Sequence, residues 1–222
     1  RCRSRDADPG NGRNSRELMS ETAVYPITVH ETAIVEPGST IGPGTAVWHF
    51  AHVRAGSQIG ADCMLAKGVY VGESAKIGNR VRVQNGVNVF NGVTLEDEVF
   101  VGPGVVFTND RFPRAVNLID PDLATTIVRR GATLGGGCVI VAGVEIGACA
   151  MIGAGSVVTR SVLPYQCVTG NPARPRGWVC RCGRSLQWRS ETGWACGVCR
   201  RIYVGTPDQV TEISSEGSDS ES

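Results

Sequence analysis

One feature constrains the fold of this chain more than any other. From Val29 to Val101 an aliphatic residue recurs at every sixth position. Set in register, the stretch reads VHETAI, VEPGST, IGPGTA, VWHFAH, VRAGSQ, IGADCM, LAKGVY, VGESAK, IGNRVR, VQNGVN, VFNGVT, LEDEVF, VGPGVV. The fifth place of each unit holds a small or β-branched residue, from Ala33 to Val105. After Phe107 the register lapses, and it resumes at Val128, Leu134, Ile140, Ile146, Ile152 and Val158. A period of six fits no helical heptad, and β-hairpins give a period of two with irregular turns. Each hexad reads instead as a short strand and a corner. Three hexads close a triangular coil of 18 residues, and coils stack as parallel strands about 4.8 Å apart. The aliphatic place points inward and the fifth place shares the cramped interior. Glycine at the fourth place (Gly38, Gly44, Gly56, Gly68, Gly86, Gly92, Gly104) supplies the backbone freedom of a tight corner. The sequence predicts an all-β parallel β-helix with one loop excursion.

The 222 residues suffice for one solenoid and a small appendage. A formal net charge of +1 gives no broad field for nucleic acid or a membrane surface. No apolar run approaches the roughly 18 residues of a membrane span, and the start carries no signal-peptide apolar region. The nine cysteines read as a reduced, cytoplasmic set, with Cys63, Cys138 and Cys149 in or beside the coil interior. Residues 1–18 are rich in arginine and nearly free of apolar residues, so they read as a disordered extension. Residues 19–176 form the solenoid domain, 177–205 a cysteine-bearing module and 206–222 a disordered acidic tail.

An 18-residue coil sets residues directly above one another. One corner then carries Glu31, His49, Lys67 and Asn85 in a column, with Trp48 and Gln84 beside it. Glu31 reads as a solvated corner residue. His49, Lys67, Gln84 and Asn85 read as a site, because Trp48 and Phe50 beside them would otherwise expose apolar rings without purpose. The excursion TNDRFPRAVNLIDPDLATTI is too long for an idle connection in a compact solenoid. Phe112, Leu118, Ile119 and Leu123 give it apolar anchors, and Asn109 and Arg114 are its best polar candidates. In the last coils the outward places are small: Gly135, Gly136, Ala142, Gly143, Ala148, Ala154 and Gly155. A face stripped of side chains presents backbone amides to a thin, extended, amide-bearing ligand. Arg160 and Arg174 follow, placed for a terminal phosphate.

The hexad array, its single loop and the closing GAGSVVTR…GNPAR run resemble the left-handed β-helix hexapeptide acyltransferases. Within them, VWHFAHV, VQNGVNVFNGVTLEDEVFVGPGVVFTN and GNPARPRGWVC are similar to nucleotide-sugar N-acetyltransferases acting on 3-amino sugars, of the UDP-2-acetamido-3-amino-2,3-dideoxyglucuronate type. The resemblance implies a left-handed coil, a homotrimer, acetyl-CoA in a groove between subunits, and a nucleotide sugar near the loop. It also implies roles. Asn85 orients the amine or the thioester carbonyl, and His49 takes the released proton or only hydrogen-bonds substrate. Gln84, Lys67, Asn109 and Arg114 bind the nucleotide sugar. Gly136, Ala142, Gly143, Ala154, Arg160, Asn171 and Arg174 hold the cofactor, with backbone N–H groups near Gly136 and Gly143 polarising the thioester. Members that acetylate hydroxyls place a histidine in the loop where this chain has Thr108, Asn109 and Asp110. A hydroxyl needs a base to become a nucleophile, whereas an amine with a pKa of about 8 is partly neutral near neutral pH. The absent histidine favours an amine acceptor.

Beyond the solenoid, GWVCRCGRSLQWRSETGWACGVCRRIY holds Cys180 and Cys182, then Cys196 and Cys199 after 13 residues. Four thiolates on two turns suit structural zinc in a zinc-ribbon-like appendage, though the first pair is C-x-C. Other functions fit less well. A γ-class carbonic anhydrase needs a third histidine beside His49 and His52. A bare scaffold would carry no polar column. A nucleic-acid module built on Arg181, Arg184, Arg189, Arg200 and Arg201 is diluted by Glu191 and the acidic tail.

Overall fold

The structure, a computed structural model, describes residues 25–116, 124–189, 193–206 and 209–213. Residues 1–18, Leu118, Ile119, Leu123, Glu191 and the end of the acidic tail lie outside the described residues.

The period of six becomes three parallel sheets around one core. The first face is a nine-stranded sheet that runs from Thr28–Val29 through Ala46–Val47, Met64–Leu65, Arg82–Val83, Phe100–Val101, Thr133–Leu134 and Met151–Ile152 to Gln166–Thr169. Arg174–Trp178 closes it antiparallel. The second face has seven strands, from Ile34–Val35 to Val157–Val158, and the third has six, from Thr40–Ile41 to Glu145–Ile146. Before the loop each strand pairs with the one 18 residues on, as in Ala46↔Met64, Arg82↔Met64 and His52↔Tyr70. Across the excursion the register skips and re-forms, with Phe100 against Thr133 and Val106 against Val139. Among the described residues there is no helix, and so none long and apolar enough to cross a membrane.

Two-residue strands cannot stand alone; they persist because every inward side chain is removed from water. Val47, Val53, Leu65, Val71, Val83, Val89, Val101, Leu134 and Ile140 are all fully buried. At roughly 1.5–3 kcal/mol for each fully buried aliphatic side chain, this file is the main stabilising term of the solenoid. The fifth-place residues Ala51, Ser57, Cys63, Ala75, Val87 and Cys138 are buried between them. Burial pushes the Cys138 thiol up to about 11, which suits packing and not reactivity.

The corners show why the fourth place favours glycine. Gly38, Gly44, Gly56 and Gly68 all adopt positive φ, but so do Phe50, Asp62, Ser74, Arg80, Glu98 and Cys149 in the same place. The coil demands this conformation whatever residue is present, at a steric cost of roughly 1–2 kcal/mol where a Cβ exists. Glycine at the second place has a separate cause. A Cβ on Gly135 would lie 2.5 Å from the Ala154 nitrogen, and one on Gly42 2.5 Å from the Ala61 nitrogen. There the coils stack too closely for a side chain. The smallness of Gly135 is therefore structural, not a sign of ligand.

The cysteine-bearing module is a four-stranded antiparallel sheet: Leu186–Arg189, Gly193–Cys196, Ile202–Thr206 and Gln209–Glu212. Its last strand runs past the expected boundary at 205 into the segment expected to be tail. Val210 explains the difference, since it is 2 % exposed and packs with Trp178, Leu186 and Tyr203.

Candidate functional site

The corner between the first and second faces gathers His49, Lys67, Gln84, Asn85, Gly136 and Ala154 of the predicted residues. Backbone bonds prove the alignment coil by coil. Gly68 N–H donates to the His49 carbonyl (2.9 Å), Gly86 N–H to Lys67 (3.0 Å) and Gly104 N–H to Asn85 (3.0 Å). The ladder continues above the loop, with Gly137 N–H on Pro103 (2.9 Å) and Gly155 N–H on Gly136 (3.0 Å). His49, Lys67, Asn85, Pro103, Gly136 and Ala154 thus stand in one file on one edge. Gln84 sits half-buried beside it, and Gly170, next to Asn171, bonds through its carbonyl to Val157 N–H at the top.

The file changes character along its length. Its lower half carries exposed polar side chains, and its upper half is bare. The side chains of His49, Lys67 and Asn85 make no hydrogen bond or ion pair with any described residue. Several charges away from the file are spent on one another. Glu36 accepts from Ala55 N–H, His52 Nε2 and Arg54, which hold its carboxyl at about 2. Arg130 and Arg80 do the same for Glu98, again at about 2. Arg129 bridges Glu145 and Glu96 at 2.8 and 2.7 Å. The file, by contrast, stacks three polar side chains with no such partner among the described residues.

Aromatic rings frame its lower end. The His30 ring stacks on His49 with centroids 3.5 Å apart, and Trp48 flanks His49 at 6.2 Å. His30 is itself fixed by Thr32, whose Oγ1 lies 2.9 Å from His30 Nδ1 and accepts from Phe50 N–H at 3.1 Å. Phe50 is 62 % exposed and holds φ of 58°. That φ is the one the coil imposes at the fourth place, and it is the large apolar ring left in water beside the file that folding alone does not call for. His30 escaped the sequence reading because it lies one residue off the column; only side-chain rotation brings it over His49.

The loop follows the second face and so emerges at a different edge, between the second and third faces. There Thr108 Oγ1 accepts from Ala142 N–H (2.9 Å) and Thr126 Oγ1 from Gly143 N–H (3.0 Å). Arg111 lies back across the same turn, its Nε donating to the Ala142 carbonyl at 3.1 Å. Two expectations are corrected by this. Ala142 is 1 % exposed and not outward, and the N–H of Gly143 is already engaged, so neither offers a bare backbone donor. The physical reason is that the loop folds onto these residues and satisfies their polar groups. Arg111 makes these contacts, whereas Arg114, among the described residues, donates only to the adjacent Pro113 carbonyl. Asn109 is half-buried at the root of the loop. Phe112 is 75 % exposed and does not anchor the loop. Arg160 and Arg174 line a cavity of about 220 Å³ with Val158, Gln166 and Val168 at the end of the coil.

In the appended module the four sulfurs of Cys180, Cys182, Cys196 and Cys199 lie within 4.8 Å of one another, an arrangement able to hold a metal ion.

Comparison with known proteins agrees with this geometry. The family model described as bacterial transferase hexapeptide (six repeats) matches residues 38–73 and 56–91. Over 63 residues the chain is 54% identical to a dTDP-3-amino-3,6-dideoxy-alpha-D-galactopyranose 3-N-acetyltransferase of Aneurinibacillus thermoaerophilus, covering 28% of this chain and 33% of that one. Over 141 residues it is 31% identical to the bifunctional protein GlmU of Shouchella clausii, covering 64% of this chain and 29% of the relative. The chain therefore spans about a third of the length of these curated relatives. Among solved structures, a UDP-N-acetylglucosamine acyltransferase from Bacteroides fragilis superposes with a TM-score of 0.58 at 17% identity, covering 69% of this chain and 61% of that one, which shows the shared fold. The matched repeats coincide with coils of the three sheets, so residues 38–91 of the solenoid carry bacterial transferase hexapeptide repeats.

Proposed function

We infer that the protein transfers the acetyl group of acetyl-CoA to the 3-amino group of a nucleotide-linked amino sugar, a UDP-aminouronate or a dTDP-amino deoxyhexose, for surface polysaccharide synthesis in the cytoplasm. The observation that carries this reading is the single file in which His49, Lys67 and Asn85, without hydrogen bonds or ion pairs to any described residue through their side chains, give way to Gly136 and Ala154. The similarity to a 3-N-acetyltransferase of a dTDP-amino sugar supports the acceptor class.

In this reading the neutral amine attacks the thioester carbon, a C–N bond forms, the C–S bond breaks, and the CoA thiolate leaves. Asn85 orients the amine or the carbonyl by hydrogen bonding. The proton shed by the amine passes to His49 or to the departing thiolate. Lys67 and Gln84 hold the nucleotide sugar, and the bare upper file near Gly136 and Ala154 receives the pantetheine chain. Arg160, Asn171 and Arg174 lie toward the CoA phosphates. No base is needed to form the nucleophile, which fits the absence of histidine at Thr108, Asn109 and Asp110.

A homotrimer completes the site. Asn109 and Arg114 stand on a different edge from the file, so they reach its ligand only from a neighbouring copy. The second face supports such packing, since Ile34 and Val106 are 58 % and 48 % exposed on it and its strands carry no Lys, Arg, Asp or Glu. In the appendage the four cysteines hold a structural zinc ion. A thermal-shift panel tests the reading: CoA and a UDP-sugar raise the melting temperature and single-stranded nucleic acid does not. A rise with nucleic acid alone would overturn it.

A further inference from the structure

The cysteine module does more than hang from the solenoid. Cys180 and Cys199 sulfurs are 3.3 Å apart, and those of Cys182 and Cys196 3.6 Å. A disulfide requires about 2.05 Å, so no pair is bonded. Four sulfurs placed tetrahedrally at about 2.3 Å from one zinc ion would lie roughly 3.8 Å apart, close to both separations. The Cys180 sulfur is also held from outside the cluster. Tyr203, fully buried, donates its hydroxyl to that sulfur at 3.2 Å and accepts from Arg181 N–H at 3.0 Å. A buried donor aimed at sulfur stabilises a metal-bound thiolate and orients it.

The same groups join the module to the solenoid. Trp178, 5 % exposed, ends the strand that pairs with Gln166–Thr169 of the first face, and Cys180 follows two residues later. Tyr165 of the last coil packs edge-on against Tyr203 at 5.2 Å and donates to Glu212 of the module's final strand at 3.3 Å. The module's own core is small. Its buried members are Trp178, Cys180, Leu186, Cys196, Tyr203 and Val210, and two of these six are cysteines of the cluster. A core of that size needs a staple to persist.

We propose that the module is a metal-dependent cap on the last coil. Zinc at the four cysteines orders Tyr203 and Trp178, and these clamp the antiparallel pair Gln166–Thr169 and Arg174–Trp178 onto the first face. The module holds the end of the first face at Trp178, while Arg174–Arg176 stay exposed on its outermost strand. This rests on the zinc reading given above, and the test separates the two. Metal content of the full-length protein is measured first, and one zinc per chain is expected. Limited proteolysis then follows the intact protein with and without a zinc chelator. The expected result is that chelation exposes tryptic cleavage after Arg176 and Arg181 while the coils before Val158 stay resistant. Tyr203→Phe retains the ring and removes the donor; it lowers zinc affinity about tenfold or more against a chromophoric chelator. Zinc that is present but leaves cleavage and the Tyr203→Phe affinity unchanged overturns the cap and leaves the metal site standing. Protein that binds no zinc, with the thiols freely titratable, overturns the metal site itself.

Discussion

Replacing Asn85 with alanine lowers turnover at least about tenfold, a loss of roughly 1.4 kcal/mol of transition-state stabilisation. The side chain stands between Lys67 below and Pro103 above on the file, and it bonds to no described residue. Its amide is therefore not engaged in the fold, and its removal leaves the coil intact; the Gly104 bond uses the Asn85 carbonyl, which alanine keeps. An interaction made only with the reacting groups lowers kcat and kcat/KM together, whereas uniform binding raises KM alone. Steady-state kinetics of Asn85→Ala, with thermal unfolding as the control, distinguishes these. Unchanged kcat in a folded variant removes Asn85 from the chemistry.

The largest effect on stability is expected at Phe107. Most inward first places hold Val, Ile or Leu, but here a ring is 1 % exposed at the last residue before the loop. Its backbone pairs with Ile140 across the skipped register, and Thr108 beside it caps the Ala142 N–H. Phe107→Ala leaves a cavity in a coil whose neighbours are tied into sheets above and below, so little collapse can fill it. A loss of about 3–5 kcal/mol follows, in the range for buried aromatic truncations. Equilibrium denaturation measures it. The loop root should loosen with the core, because the Thr108 bond depends on that register. A loss under about 1 kcal/mol would show that the coil tolerates a void there.

Much of the fold was legible because one number, the period, sets the direction of every side chain. Val47, Leu65 and Val83 are buried for the same reason that His49, Lys67 and Asn85 share an edge: an 18-residue coil repeats both. The loop was not legible in this way. Nothing in TNDRFPRA distinguishes Arg111, which folds back on Ala142, from Arg114, which does not. The choice depends on the loop's path in space. For the same cause, Ala142 and Gly143 looked bare when read as corner residues, yet Thr108 and Thr126 occupy their amides. Small residues also carried two meanings that sequence could not separate. Gly135 is excluded from bearing a side chain by the next coil, while Ala154 is exposed on the file. The extra strand Gln209–Glu212 escaped notice because its single inward residue, Val210, gives no periodic signal.

A file that transfers acetyl groups to a sugar amine should discriminate an amine from a hydroxyl at the same sugar carbon. Mass spectrometry of products from acetyl-CoA with a 3-amino nucleotide sugar, and with its 3-hydroxy counterpart, tests it most directly. The account predicts a product heavier by one acetyl group from the amine alone, diminished in Asn85→Ala. Acetylation of the hydroxyl counterpart at a comparable rate, or of neither compound, would contradict it.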